Sequence, residues 1–466
     1  MVDLRRFTGQ RIAILGLGRT GLAAARALTR AGAEVLAWDD AGTAQAAATA
    51  AGIALTDLGK VAVAGIDALV LSPGIPHRFP QPNPTVARLQ QAGVPVIGDI
   101  DLLYRAEPAP RYVGITGTNG KSTTTTLIDH IVAGTGRPHA VGGNLGPAVL
   151  DFPSLPDTGV YVIEMSSYQL ELTPSVAFDI AVLLNISPDH LARHGGMDGY
   201  VAAKNLVFRQ PDGIEPRLRT AVVGVDDPWC RTLCDGLRAT GRWRVVPISV
   251  ETAVPGGVYA PDGILIDDSD DTAETICDLR PFARLPGRHN WQNAAAAYVA
   301  ARALGIARAD IVASLESFPG LEHRQQWLAT IDGVRFVNDS KATNADAAAK
   351  ALVCYEPIYW IIGGRAKESG LDGLEPFMPR IRHAFLIGEA TERFATWLDG
   401  KIPYSRCGDL ATATRAAYAL ARQERLAGAT VLLSPACASW DQFPNFEVRG
   451  EAFAAHVRNI AAGDAP

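Results

Sequence analysis

The chain has 466 residues, 48% of them hydrophobic and 20% charged, and a mean hydropathy of +0.08. That length calls for more than one core, and the apolar share excludes a disordered tail, a collagen or a coiled-coil rod. Forty-three Lys and Arg against 49 Asp and Glu leave a net charge of -6, so the chain as a whole has no basic footprint for nucleic acid or an acidic membrane, while a local basic site stays compatible with it.

The six cysteines (Cys230, Cys234, Cys277, Cys354, Cys407, Cys437) make no CxxC pair and read as small buried hydrophobes in a reducing compartment. The first apolar run is strand-length and broken by Gly and Arg, and no uncharged run reaches the roughly 18 residues of a membrane helix. A cytoplasmic protein is expected. Apolar runs at residues 11–15, 67–71, 112–116, 160–163, 181–184, 359–362, 384–387 and 430–433 alternate with Ala-rich helical stretches. Strands that are apolar throughout belong to sheets covered on both faces, so the expected class is α/β with mostly parallel sheets. A Pro-rich break at 106–110 and a turn at 317–320 suggest three domains, at about 1–109, 110–320 and 321–466.

In the first of these, the strand at 12–15 runs into Gly16-Leu-Gly-Arg-Thr-Gly21, and Asp39 ends the next strand. The spacing fits a dinucleotide fingerprint, and an NAD-dependent dehydrogenase is one reading. The same glycines serve any diphosphate lying on a helix N-terminus, and a dehydrogenase has no use for the second phosphate loop that follows.

That second loop is Gly114-Ile-Thr-Gly-Thr-Asn-Gly-Lys-Ser-Thr-Thr124, after one strand and ahead of a helix. It departs from GxxxxGK[ST] because Ile115 stands at the first position. The chemistry is nonetheless that of a phosphate cradle: glycines let N–H groups turn inward, Lys121 can reach β and γ phosphates, and the Ser122 hydroxyl can ligate Mg2+. Glu164, ending the apolar run 160–163, is the candidate metal carboxylate. His190 and His194 stand one helical turn apart, but no Glu follows His190 and no third ligand is in register, so zinc is not expected. His190 is read as a metal or phosphate contact and His194 as a surface residue. Lys204 lies in a mostly apolar helical pattern and by composition is a snorkelling lysine. Residues 242–280 read as hairpins on a sheet edge. Near the C-terminus, Phe336–Asn344, Gly363–Lys367 and Ser434–Phe443 each follow a strand, and together they would make a polar pocket for a small charged substrate.

The segments Gly117-Thr-Asn-Gly-Lys-Ser-Thr123, Glu164-Met-Ser-Ser-Tyr-Gln-Leu170, Asn185-Ile-Ser-Pro-Asp-His190, Arg288-His-Asn290, Gly320-Leu-Glu-His-Arg324 and Asn338-Asp-Ser-Lys-Ala-Thr-Asn344 resemble, in order and spacing, the Mur ligases. The resemblance implies three domains: a Rossmann-like one for a UDP-sugar, a P-loop-type mononucleotide-binding one for ATP, and a second Rossmann-like one for an amino acid. It implies an ATP-dependent amide ligase of peptidoglycan precursor synthesis, monomeric and cytoplasmic. Asp-Ser-Lys-Ala-Thr-Asn with Ser434–Phe443 resembles the branch that adds D-glutamate to UDP-N-acetylmuramoyl-L-alanine; a sibling adding another amino acid, such as L-glutamate, is the alternative.

By the same resemblance the UDP-sugar meets Gly18, Arg19, Thr20, Asp39, Asn144, Ser166 and His190. ATP meets Gly117, Thr118, Asn119, Gly120, Lys121, Ser122, Thr123 and Thr124, with Asn290 and Asn293 at the adenine and Arg324 and Asp339 near the ribose and phosphates. The amino acid meets Lys341, Thr343, Lys367, Ser439 and Phe446. Lys121, His190 and Lys204 are the implied catalytic residues; Mg2+ falls to Ser122, Glu164, His190 and Lys204, the last carbamylated by CO2. Three departures stand out: Trp38-Asp-Asp-Ala41 lacks a Thr-Arg pair that some relatives use on uracil, Ala192 replaces a common Asp, and Arg365 stands where Asp is common.

Overall fold

A strand such as Val160–Glu164, buried at every position, is stable only where helices cover both faces of its sheet. The computed structural model, which describes residues 1–211, 218–270, 272–366 and 370–463, places such strands in three sheets. The first comprises β1 (Arg11–Leu15), β2 (Glu34–Trp38), β3 (Ala68–Leu71) and β4 (Val96–Ile97), all parallel, in the order β2-β1-β3-β4.

The second sheet holds β5 (Arg111–Thr116), β6 (His139–Gly143), β7 (Val160–Glu164), β8 (Ile180–Leu183), β9 (Arg219–Gly224), β10 (Trp243–Ser249), β11 (Val258–Tyr259), β12 (Ile264–Asp267) and β13 (Glu274–Asp278). Their order is β13-β12-β11-β10-β9-β8-β5-β7-β6, parallel except for the antiparallel edge β11-β12-β13. That edge falls within residues 242–280, read as hairpins; β10, in the same stretch, instead lies parallel to β9 and β11, which corrects that part of the reading. The third sheet contains β14 (Gln326–Ile331), β15 (Val334–Asn338), β16 (Ile358–Gly363), β17 (Ile381–Ile387), β18 (Tyr404–Gly408) and β19 (Thr430–Leu433), ordered β14-β15-β19-β16-β17-β18, with only β14 antiparallel.

Strand order decides where ligands can enter. β1 lies between β2 and β3, β5 between β7 and β8, and β19 between β15 and β16, so in each sheet the connections diverge to opposite sides and open a crevice at the C-terminal strand ends. Both glycine loops, and all three polar C-terminal loops, leave from those ends.

The chain packs as two compact units: Met1–Leu279 with Asn290–Ser317, holding the first two sheets, and Arg280–His289 with Phe318–Pro466, holding the third. All six cysteines are free; Cys230, Cys234 and Cys437 are buried, whereas Cys277, Cys354 and Cys407 are half-buried, which corrects their reading as uniformly buried. Among the described residues no helix is long and apolar enough to cross a membrane.

Candidate functional site

In the first unit the residues after β1 and β5 share one cavity of about 590 Å3. Arg19 and Thr20, at the start of the Arg19–Arg30 helix, line it together with Lys121, Asn144, Ser166, Ser167, Tyr168, Asp189, His190, Tyr200 and Lys204. Arg19 and Lys121 against the single carboxylate of Asp189 give the wall a positive excess, the polarity a polyanionic ligand requires.

The two loops are built by close backbone approach. A Cβ on Gly21 would run into the Gly16 carbonyl oxygen, so glycine alone lets the helix start that near the strand. Asp39 accepts from the Leu17 N–H at 2.6 Å and the Ala41 N–H at 2.8 Å, so its carboxylate fastens the loop instead of lining the cavity. Gly18 is the N-cap of the Arg19–Arg30 helix. In the second loop Gly120 has φ 85° and caps the Lys121–Gly134 helix, and a Cβ there would overlap Asn293 Oδ1. That oxygen accepts from Thr124 Oγ1 at 3.2 Å, and Asn293 Nδ2 donates to Asn290 Oδ1 at 3.1 Å; both asparagines are buried and brace the loop's helix. The Asn119 N–H donates to Asn185 Oδ1 at 2.8 Å, and Thr118 Oγ1 lies 3.1 Å from the Tyr200 hydroxyl.

Two lysines converge on this loop. Lys121 Nζ donates to the Gly117 and Thr118 carbonyls at 2.9 and 2.8 Å, and Lys204 Nζ donates to the same Gly117 carbonyl at 2.8 Å. Lys204 is 2% exposed, with its ammonium 4.7 Å from the Tyr200 ring centroid. It does not snorkel: burial, and next the charge of Lys121, push its pKa well below the ordinary lysine value. The composition reading is overturned because tertiary packing closes over the helix face that carries both Tyr200 and Lys204. Their four-residue spacing was the one signal in the sequence that could have shown it.

Glu164 ends β7 at 1% exposure. Its Oε1 accepts from Asn144 Nδ2 at 2.6 Å, while Oε2 is buried with no hydrogen-bond partner among the described residues. A carboxylate oxygen left bare in the interior is what a cation site offers. Ser122 and Thr123 are buried in the first turn of the adjoining helix. Ser166 caps the Ser167–Glu171 helix through a reciprocal box with Gln169.

His190 adopts φ 51°, uncommon outside glycine, with its side chain 53% exposed toward the cavity and its ring 5.2 Å from Tyr168. His194 is not a surface residue: its side chain is sealed, Nε2 pairs with Ser167 Oγ at 2.9 Å, and burial, with the Arg193 charge second, lowers its pKa to about 4. A single turn of helix between the two histidines turns one outward and one inward, which spacing alone does not tell. Ala192 is exposed on that turn, and Asp40 is engaged by Trp38 Nε1 at 3.1 Å and Asn83 Nδ2 at 3.3 Å.

In the second unit the three polar loops are tied together at the ends of adjacent strands β15, β19 and β16. Asp339 Oδ2 accepts from Ser434 Oγ at 2.8 Å and Oδ1 from the Gln325 N–H at 3.1 Å; Arg365 and Ala438 exchange backbone hydrogen bonds at 2.9 and 3.1 Å. Asp339 is buried, which raises its pKa to about 7 against the hydrogen bonds and the Arg324 charge. Lys341 Nζ stands 5.4 Å from the half-buried Phe446 ring, Thr343 is half-buried and Ser439 buried. Arg365 is held in a bidentate pair with Glu389 at 3.1 and 3.0 Å. Lys367 lies outside the described residues. Sequence reasoning missed Arg449, which is buried behind these loops.

Two diverging glycine-loop domains sharing a cationic cavity, with a third sheet carrying its own strand-end loops, define a class: the chain belongs to the Mur ligase family. The Mur ligase middle domain matches residues 115–301, and the Mur ligase MurD-like N-terminal domain matches residues 10–98. The chain is 51% identical to the UDP-N-acetylmuramoylalanine--D-glutamate ligase of Paramagnetospirillum magneticum over 100% of both chains. It is equally identical to that of Phenylobacterium zucineum over 100% of this chain and 99% of the other. The fold is shared with the UDP-N-acetylmuramate-alanine ligase MurC from Thermotoga maritima, at a TM-score of 0.57 and 16% identity over 96% of this chain and 99% of that one.

Proposed function

We propose that the chain joins D-glutamate to UDP-N-acetylmuramoyl-L-alanine in cytoplasmic peptidoglycan precursor synthesis, with ATP driving amide formation through an acyl phosphate. The observation that carries this reading is the common cavity of the two glycine loops, which places a diphosphate-type loop bearing Arg19 and Thr20 opposite a triphosphate-type loop bearing Lys121. Full-length relatives of that name support the choice of substrates.

Hydroxide leaves a carboxylate poorly, so the acid must first be phosphorylated. In our scheme an oxygen of the L-alanyl carboxylate attacks the γ-phosphorus of ATP, and the bond to the bridging oxygen breaks with ADP as leaving group. The amine of D-glutamate then adds to the acyl carbon, loses a proton and expels phosphate. Lys121 holds the phosphates, and the N–H groups of Gly120 to Ser122 at the helix N-terminus offset their charge. Arg19 and Thr20 hold the diphosphate of the sugar nucleotide, while Asn144, Ser166 and His190 orient its acid end. The third sheet's loops receive D-glutamate, with Lys341, Thr343, Ser439, Phe446 and, outside the described residues, Lys367 as its contacts. The three sheets thus correspond to a UDP-sugar, an ATP and an amino-acid domain.

Mg2+ fits the residues present. Among the described residues no three His, Cys, Asp or Glu side chains converge; the bare oxygen of Glu164 and the Ser122 hydroxyl would hold the ion with oxygens of the nucleotide, and its charge would screen the phosphates. Burial lowers the pKa of Lys204 and so favours the neutral amine, which can add CO2 through its lone pair and lose a proton to give a carbamate anion, a further ligand beside His190.

Phosphate release with ATP, Mg2+ and UDP-N-acetylmuramoyl-L-alanine across a panel of D- and L-amino acids tests the reading. Release that depends on D-glutamate supports it; release driven by L-glutamate or another amino acid assigns a sibling activity and refutes it.

A further inference from the structure

Arg449, in the Phe446–Ala462 helix, is 1% exposed, and among the described residues no carboxylate forms an ion pair with it. Its Nε donates to Ser340 Oγ at 3.0 Å, and Nη2 donates to the Ser340 carbonyl at 2.8 Å and the Cys437 carbonyl at 3.0 Å. Ser340 Oγ in turn donates to the Phe446 carbonyl at 2.8 Å. Among the described residues Nη1 has no partner, and a Cβ on Gly364 would come within 3.3 Å of it. One guanidinium therefore joins the loop after β15, the loop after β19 and the start of the last helix, and abuts the loop after β16.

For stability alone this is a poor choice. A buried charge without a counter-charge is costly, and an apolar residue of similar volume fills such a space at least as well. What the arginine adds is a fixed fork that sets the spacing of two loops, and a buried positive charge, held in no ion pair among the described residues, under the crevice where those loops open. The neighbouring Arg365 contributes little there, because Glu389 neutralises it.

We infer that Arg449 is a positioning residue for the amino-acid substrate. Through Ser340 and Cys437 it holds the backbone around Lys341 and Ser439, and its buried charge favours an amino acid carrying a second carboxylate. This rests on the proposed amino-acid site of the third sheet. The Arg449 side chain is sealed and does not touch the substrate.

The test is steady-state phosphate release by the full chain with Arg449→Lys, Arg449→Met and Ser340→Ala. Arg449→Met is expected to raise the KM for D-glutamate by about 10- to 100-fold, the loss of charge-assisted hydrogen bonds, with the KM values for ATP and the UDP-sugar within about twofold of the parent. Arg449→Lys keeps the charge and recovers part of that loss; Ser340→Ala raises the same KM by about threefold or more. Equal effects on all three KM values, or a fall in melting temperature with unchanged KM for D-glutamate, would overturn the inference by reducing Arg449 to a structural clamp. Should Arg449→Met fail to fold, the Lys and Ala variants decide by the same split. Should the parent respond to a different amino acid, the D-glutamate reading falls, and the KM split is read with that amino acid.

Discussion

The two glycine loops of the first unit begin alike and end in different chemistry. Each leaves a buried parallel strand where the strand order diverges, and each runs into a helix N-terminus. The loop after β1 is closed by its own surroundings: Gly21 seats against the Gly16 carbonyl, and Asp39 takes the Leu17 N–H. The loop after β5 is held from outside, by Asn185, Asn293 and Tyr200, and carries two lysines on a single carbonyl. Glycine spacing therefore sets the shape of a phosphate loop, while the cations gathered around it set how much negative charge it can hold and whether a phosphoryl group can be moved.

Removing those lysines should separate the loops most sharply. Lys121→Ala is expected to lower kcat by about 10²- to 10³-fold while leaving UDP-sugar binding intact, read by ADP formation and by calorimetry; undiminished ADP formation would falsify the assignment. Lys204→Ala should lose about 10- to 100-fold, partly restored by added short carboxylates that replace the carbamate. Full activity without rescue would count against carbamylation.

The first loop should answer differently. Arg19→Ala is expected to raise the KM for the UDP-sugar about tenfold with the KM for ATP unchanged, and a change confined to ATP would exchange the roles of the two loops. Gly21→Ala forces a Cβ against the Gly16 carbonyl and should cost about 1–3 kcal/mol in urea unfolding, a loss of shape with no change of charge.

The smallest expected effect lies in the second unit. The Asp339 pKa is raised from its ordinary 3.8 to about 7 by burial, so the folded chain keeps a proton that the unfolded chain gives up. That contribution to stability is complete below the ordinary value and is lost as pH rises through about 7. Asp339→Asn should flatten the corresponding decline in melting temperature between pH 5 and 8; an unchanged slope would show that another group sets it.

Much of the fold was legible because its signals are local. Runs such as Tyr112–Thr116 and Thr430–Leu433 are apolar at each successive position in a way only a doubly covered strand requires, and both glycine loops announce strand, turn and helix within a dozen residues. The edge hairpins of 258–278 were readable from their Gly and Pro punctuation. The chemistry of the site was half legible. Lys121, Glu164 and His190 stand at strand ends and loop starts, where position implies exposure to a ligand. Lys204, His194 and Arg449 sit in helices, and a polar residue in a helix looks the same in sequence whether it faces water or the interior.

What the amino-acid sequence by itself determined is the set of strand-end loops and the residue types they offer, since backbone sterics and apolar patterning act over a few neighbours. Tertiary structure alone decided which of those loops share a cavity, that Lys204 is stripped of water beside Lys121, and that Arg449 lies buried behind three loops with no ion pair among the described residues. Desolvation is the physical reason: a group's charge state and reach depend on every segment packed around it, and those segments are remote in the chain.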